Sequence, residues 1–241
     1  MILAAGLGTR SHPLTDHKPK ALVEIAGVPL LEAVITKLIK QGINTFTLNV
    51  HHFPEQILEF LHQKENFGVK ISISDETDAL LDSGGGILKA SQYFLAEEAI
   101  LVHNVDVISN ISIREMFQYH QNRNAQATLA VRNRNTKRYY LFDPEYKLCG
   151  WKNLITAEEL RNTGEDTPVN PLAFSGISIL SAEFIQNISH QGCFPVRDEF
   201  LKQSATGNIM GYQNDTDYWM DVGKPEQLAQ AEHFLRSSAS F

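Results

Sequence analysis

Between Leu3 and Lys20 the chain reads Leu-Ala-Ala-Gly-Leu-Gly-Thr-Arg-Ser-His-Pro-Leu-Thr-Asp-His-Lys-Pro-Lys: a short apolar strand, a glycine turn, then a basic loop broken by proline. Such a backbone suits a polyphosphate. Gly6 and Gly8 can take positive φ and bring main-chain N–H groups up to an anion with no Cβ in the way. Arg10, Lys18 and Lys20 add cationic charge against a single acid, Asp16, in a chain of formal net charge −7.

Two familiar phosphate motifs do not fit this loop. Gly6 to Ser11 is a GxG without the third glycine of the dinucleotide fingerprint, and Pro13 and Pro19 interrupt the helix that fingerprint needs. A Walker loop requires Gly-Lys-Ser/Thr, whereas Gly8 is followed by Thr9-Arg10. A loop that only turns the chain is the plain alternative, but a connection this long in a compact α/β unit is more often functional.

Other residues are placed for chemistry. Asp106 follows the short apolar strand Ile100-Leu101-Val102, and ligands of open α/β sheets gather at strand ends. Taken alone, an Asp there is most often a cap or turn residue. Ser83-Gly84-Gly85-Gly86 precedes an expected helix over 87–95, so its N–H groups can meet phosphate or its bare backbone can face a flat base. His51, His52 and His103 lack metal-ligand spacing and read as satisfied polar residues near the sheet edge. Cys149 and Cys193 form no CxxC and are expected as small core residues.

The elements that must position these groups follow from periodicity. Leu30, Leu31, Val34, Ile35, Leu38 and Ile39 recur at helical spacing between Pro29 and Gly42, predicting a helix over 29–41. Strands are expected at 45–50 and 69–73, a helix at 54–61, and a strand at 100–102. This alternation predicts an α/β, Rossmann-like fold with a largely parallel mixed sheet and helices on both faces. From about 127 to 172 the pattern becomes strand-like with little helix, predicting a small antiparallel lobe. Within it, 156–171 reads as a solvated loop. A strand at 173–180, helices near 181–188 and 195–204, and a closing helix from Pro225 to Leu235 complete the expectation, with a frayed tail from Ser237 to Phe241.

The 241 residues, 43% hydrophobic, suffice for a single domain over 1–241. The signature starts two residues into the chain, which leaves its first strand short. No segment approaches the roughly 20 apolar residues of a membrane span, and no secretory signal is visible, so a cytoplasmic protein without membrane contact is expected. The acidic balance argues against a nucleic-acid partner. Oligomeric state stays open.

Leu3-Ala4-Ala5-Gly6-x-Gly8-Thr9-Arg10-x-x-Pro13-Leu14-Thr15-x-x-x-Pro19-Lys20, continued by Leu22-Val23-x-Ile25-Ala26-Gly27-x-Pro29-Leu30, resembles the signature loop of the sugar-1-phosphate nucleotidyltransferases. The resemblance extends through Ser83 to Gly86, His103-Asn104-Val105-Asp106, Phe174-Ser175-Gly176 and Trp219-Met220-Asp221-Val222-Gly223. Among branches it is most similar to the short N-acetylmuramate-1-phosphate uridylyltransferases of cell-wall recycling. It implies the nucleotide-diphospho-sugar transferase fold and a reaction in which an NTP and a sugar 1-phosphate give an NDP-sugar and pyrophosphate.

The same resemblance implies Mg²⁺ as cofactor, held by Asp106, which matches the Asp of the family's Asn-Gly-Asp, with Asp221 as the second ligand, since nucleotide-bound Mg²⁺ takes one or two carboxylates. It implies Arg10, Lys20 and Asp106 as catalytic residues. Nucleotide contacts fall on Ala5, Gly6, Gly8, Thr9, Arg10, Ser83, Gly84 and Gly85, with Glu76 at the rim. Sugar-phosphate contacts fall on Lys152, Ser175 and Gly176, and a substrate carboxylate would call for a cation such as Lys152 or Arg138. UTP with an N-acetylated amino-sugar 1-phosphate is the expected pair, and GTP with mannose 1-phosphate the rival. A glycosyltransferase would show an Asp-x-Asp where 104–106 has one Asp, and a silent sugar-nucleotide sensor would bind without turnover. Hexapeptide repeats of a second acyltransferase activity are not seen.

Overall fold

The computed structural model describes residues 1–94, 96–164 and 167–237. Leu95, Glu165, Asp166 and the expected tail beyond Ser237 lie outside the described residues. In chain order the elements are β1 (Ile2–Leu3), β2 (Glu24–Ile25), β3 (Val28–Pro29), α1 (Leu30–Lys40), β4 (Thr45–Val50), α2 (Pro54–Gln63) and β5 (Lys70–Asp75). Next come α3 (Asp82–Ala90), β6 (Ala99–Asn104), β7 (Val107–Ser109), α4 (Ile113–Asn122), β8 (Ala127–Arg132), β9 (Arg138–Phe142), β10 (Leu148–Asn153) and β11 (Glu158–Arg161). The chain ends with β12 (Asn170–Ser181), α5 (Ala182–Gln186), α6 (Val196–Ser204), β13 (Ile209–Gln213), β14 (Trp219–Asp221) and α7 (Pro225–Ser237). The fold is α/β, as expected. The chain divides into two compact units: Met1–Asp82, His103–Asn110 and Tyr218–Phe241 form the first, and Ser83–Val102 with Ile111–Asp217 the second.

In the first unit β1 lies between two parallel neighbours. Ile2 and Leu3 pair with Leu48 and Asn49 of β4 on one side and with His103 and Asn104 of β6 on the other. β5 continues the parallel set beyond β4, from Thr45 opposite Lys70 to Val50 opposite Asp75. Parallel strands carry all their carboxyl ends to one edge, so Ala4, His51, Glu76 and Val105 all follow strands there. α1 buries Leu30, Leu31, Val34, Ile35 and Leu38, the stripe expected from its spacing. Two short antiparallel ribbons were not foreseen: β2 with β3, turned by Ala26 and Gly27, and β7 with β14. Segments of two or three residues are too short to show a period of two.

The second unit is mostly antiparallel. β12 pairs with β8 and β9, β10 joins β9 to β11, and β13 runs parallel to β8. The 156–171 stretch is therefore not a continuous loop: β11 occupies 158–161 and β12 begins at Asn170. All four side chains of β11 are exposed, so the polar composition that suggested a loop reflects an outer strand. α4 and β13 were also missed, α4 because its apolar residues Ile113 and Met116 are few among polar ones.

The glycine run lies inside a helix. The helix expected over 87–95 begins at Asp82, so Ser83 to Gly86 form its first turn rather than precede it, and a 3₁₀ turn over Ser91–Tyr93 follows. Glycine's low helix propensity moved the expected start downstream, but packing requires it here. A Cβ on Gly84 would lie 2.8 Å from the Phe194 carbonyl oxygen and overlap the Phe194 ring. Gly84→Ala is therefore expected to destabilise the protein by about 1–3 kcal/mol, the usual cost of forcing an extra carbon into a packed site. Urea unfolding measures it, with unchanged stability as the contrary result.

Candidate active site at the carboxyl edge of the first unit

The basic loop leaves β1 and folds on itself. Gly8 has φ +67°, and its carbonyl accepts from Ser11 N–H at 2.7 Å and Thr15 Oγ1 at 2.9 Å. Thr9–Ser11 forms one 3₁₀ turn and no longer helix, as the prolines required. Only Gly8 of the two signature glycines has positive φ; Gly6 is exposed, and a Cβ there would meet nothing within 4 Å. Gly6 thus leaves its backbone open on the solvent side, beside the exposed Thr9 and Arg10, while Ala5 is buried.

Lys20 takes the opposite environment. It is 9% exposed, starts a 3₁₀ turn after Pro19, and its Nζ donates to the Asp106 carboxylate. Lys18 stays half-buried. Asp106 sits between β6 and β7, and its carbonyl accepts from Val222 N–H at 2.9 Å. The β7–β14 register puts Asp221 opposite Val107, which brings two acids far apart in sequence to one place. Their meeting point is Gly223, where a Cβ would lie 2.8 Å from Asp221 Oδ1, 3.3 Å from Asp106 Oδ2 and 3.3 Å from Lys20 Nζ. Ser11 Oγ donates to the Gly223 carbonyl at 2.9 Å, tying the basic loop to this point. Asp221 Oδ1 accepts from Gly223 N–H at 2.8 Å, so it organises its own turn rather than the start of α7.

Two carboxylates gathered at Gly223 form a hard oxygen donor set, and this fits Mg²⁺, which keeps water and phosphate oxygens around one or two carboxylates. Among the described residues no group of three or more His, Cys, Asp or Glu is assembled for a metal held by protein alone. The histidines are otherwise engaged. His51 Nδ1 pairs with the Glu76 carbonyl at 2.6 Å and His103 Nδ1 with the Asn104 carbonyl at 2.7 Å. Burial, reinforced by Lys37, lowers the His103 pKa to about 4, so its ring is neutral. Cys149 is buried, but Cys193 is exposed, contrary to its expected place in the core.

Glu76 is not a rim residue. It is fully buried; its carboxylate accepts from Asn49 Nδ2 at 2.7 Å and from Leu81 N–H at 3.2 Å. Asn49 Oδ1 in turn accepts from Ala4 N–H at 2.8 Å. This chain of bonds fixes the start of the glycine loop against β4 and the 76–81 turn. Asn49 was missed; its signal is a lone amide inside the apolar run Phe46 to Val50.

The second unit holds the remaining expected residues. The N–H groups of Gly84 and Gly85 donate to the Phe194 carbonyl at 2.9 and 3.2 Å, and Ser83 Oγ accepts from Val196 N–H at 3.0 Å. These donors are thus taken up inside the unit, where Gly84, Gly85 and Gly86 are buried and the Phe194 ring lies against Gly84. Ser175 is buried and Gly176 has φ +75°, inside an irregularity where β12 slips against β8 between Phe174 and Ser178. Arg134 donates to the Phe174 carbonyl at 3.1 Å. Lys152 lies over the Tyr139 ring at 5.7 Å, and Arg138 is exposed at the start of β9.

Residues 1–238 match the family model described as nucleotidyl transferase. The chain is 30% identical to an N-acetylmuramate alpha-1-phosphate uridylyltransferase of Caulobacter vibrioides, covering 96% of this chain and 94% of that protein. It is 27% identical to a mannose-1-phosphate guanyltransferase of Yarrowia lipolytica, spanning 64% of that protein's length and all of this chain. Among solved structures, HddC from Yersinia pseudotuberculosis complexed with GMP-PN superposes with a TM-score of 0.76 at 21% identity, covering 97% of each chain. A putative glucose-1-phosphate thymidylyltransferase from Bacillus anthracis gives 0.78 at 17% identity, covering 98% of this chain and 94% of that one, and both share its fold. With the signature loop, the two acids and the buried lysine in place, the chain belongs to the nucleotidyl transferase family, among its sugar-1-phosphate nucleotidyltransferases.

Proposed function

We propose that the protein transfers a uridylyl group from UTP to N-acetylmuramate 1-phosphate with Mg²⁺ as cofactor, releasing pyrophosphate and serving cell-wall recycling. The observation that carries the reaction class is the convergence of Asp106, Asp221 and Lys20 on Gly223. A sugar-phosphate oxygen attacks the α-phosphorus of the NTP while the bond to the β-phosphate oxygen breaks and pyrophosphate leaves. No side-chain nucleophile is required, and because the sugar phosphate is already ionised, no general base is required either.

The difficulty is electrostatic. Two unit charges 4 Å apart repel by about 4 kcal/mol at an effective dielectric of 20, and two polyanions multiply that. Lys20, buried and fixed, and Arg10, exposed on the loop, supply the opposing charge. Asp106 and Asp221 would hold Mg²⁺, which when bound withdraws negative charge from phosphate oxygens. The loop backbone from Ala5 to Thr9 and the Ser83–Gly85 turn serve the nucleotide; Lys152, Ser175 and Gly176 serve the sugar phosphate. The uridylyltransferase relative supports the choice of UTP and N-acetylmuramate 1-phosphate. The guanyltransferase relative supports GTP with mannose 1-phosphate as the second reading.

Pyrophosphate release measured across four NTPs and several sugar 1-phosphates decides between them. UTP with N-acetylmuramate 1-phosphate is expected to give the highest kcat/KM, and a GTP preference with hexose phosphates lacking the N-acetyl group overturns the uridylyl assignment while keeping the reaction class.

Arg10→Ala and Lys20→Ala are each expected to lower kcat/KM by at least about 10²-fold, the usual loss when one transition-state donor is removed. Lys18→Ala should change it far less, and equal sensitivity at Lys18 would contradict the register assigned to the loop.

Asp106→Asn and Asp221→Asn should abolish Mg²⁺-dependent turnover; Asp221→Asn should leave circular dichroism unchanged, whereas Asp106→Asn should also lower the unfolding midpoint because the buried Lys20 loses its partner. Full activity of Asp221→Asn at unaltered Mg²⁺ dependence removes that residue from the site.

A further inference from the structure

One buried charge in the second unit has no part in the chemistry above. Glu199, in the first turn of α6, is fully buried. Its Oε1 accepts from Ser189 N–H at 2.8 Å, from His190 N–H at 2.9 Å and from His190 Nδ1 at 2.6 Å, while Gln203 Nε2 donates to Oε2 at 3.0 Å. Burial alone raises a carboxylate pKa; here the donors of Gln203, His190 and Ser189 outweigh it and hold Glu199 down at about 2. Lys202, one turn further along α6, reaches Ser189 Oγ. The segment between α5 and α6 is thus pinned by a charge that stays ionised at any working pH.

What this segment carries is Phe194. The His190 ring stacks on the Phe194 ring with centroids 5.3 Å apart and planes 29° from parallel. The Phe194 carbonyl is the acceptor for Gly84 and Gly85 N–H, and Val196 N–H reaches back to Ser83 Oγ. Gly84 has no Cβ because Phe194 fills that space. An unbroken path of short contacts therefore runs from Glu199 through His190 and Phe194 to the Ser83–Gly85 backbone. Backbone that recognises a ligand by contact must be held to fractions of an ångström, since a 1 Å misplacement costs orders of magnitude in rate.

We propose that Glu199 and His190 are positioning residues for the nucleotide, acting through Phe194 on the Ser83–Gly85 turn. The inference rests on the reading above that Ser83, Gly84 and Gly85 contact the nucleotide. It distinguishes the two substrates: loosening the segment weakens the NTP side and leaves the sugar phosphate alone.

The test compares KM for UTP and for N-acetylmuramate 1-phosphate in Glu199→Gln, His190→Phe and His190→Asn, together with hydrogen exchange of residues 83–86 in the wild type with and without UTP. His190 has a side chain 40% exposed, so its variants keep the fold if Glu199→Gln does not. His190→Phe keeps a ring against Phe194 but removes the Nδ1 donor to Glu199, whereas His190→Asn keeps an amide donor near that position but removes the ring that stacks on Phe194. Loss of one hydrogen bond to a charged group corresponds to roughly a tenfold effect. The expected result is a roughly tenfold rise in KM for UTP in Glu199→Gln, His190→Phe and His190→Asn, each of which breaks one link of the path, with an unchanged KM for the sugar phosphate. Equal rises in both KM values, or a wild-type KM for UTP in His190→Phe or His190→Asn, overturn the proposal. Absence of UTP protection at 83–86 in the wild type overturns the nucleotide reading of that turn and the proposal with it. Protection with an unchanged KM for UTP overturns the proposal alone.

Discussion

The contact between Lys20 and Asp106 is the interaction around which the first unit is arranged. Both side chains are largely withdrawn from water, and a charge in that position costs several kcal/mol unless a partner and hydrogen bonds compensate it. Each neighbouring feature keeps the pair in register. Pro19 sets the backbone before Lys20, Ser11 anchors the loop to Gly223, and Val222 holds the Asp106 carbonyl. The β7–β14 ribbon, only three residues on each strand, owes its importance to the acid it delivers. Electrostatic catalysis of a reaction between two anions requires charges held in place in this way.

The second unit shows a different economy of design. Its aromatic contacts, Tyr140 with Phe174 at 6.0 Å and Phe184 with Phe200 at 5.3 Å, join β9 and β12 and α5 and α6. The polar groups of its connecting segments are satisfied by a few multiply bonded side chains, Glu199 above all. Serines at the starts of α4 and α5, Ser112 and Ser181, accept from the N–H three residues on, the ordinary local signal for a helix beginning.

Much of this could be read beforehand from side-chain types alone, and the exceptions share a cause. α1, β4 and β5 announced themselves because their apolar residues recur at a fixed spacing over five residues or more. Arg10, Lys20, Asp106 and Asp221 stood out because they lie in a dense run of fixed residue types. What escaped depends on partners distant in sequence. Glu76 looked like a surface acid until Asn49 and Leu81 were seen around it, and the glycines of α3 looked like a loop until Phe194 was seen against Gly84. No local property of β7 or β14 reveals that they pair. The register that unites Asp106 with Asp221 is therefore a tertiary fact.

The bond between Asn49 and Glu76 has a bearing on how such a protein can diverge. An aspartate at position 49 would set a carboxylate against the buried carboxylate of Glu76 and could no longer donate to it, while its remaining oxygens would still face Ala4 N–H. A glutamine at position 76 would turn one acceptor into a donor facing either the Asn49 amide or Leu81 N–H. Neither of these two substitutions leaves every donor and acceptor satisfied, so each position constrains the other. Descendants of this chain should keep the pair intact or exchange both members together.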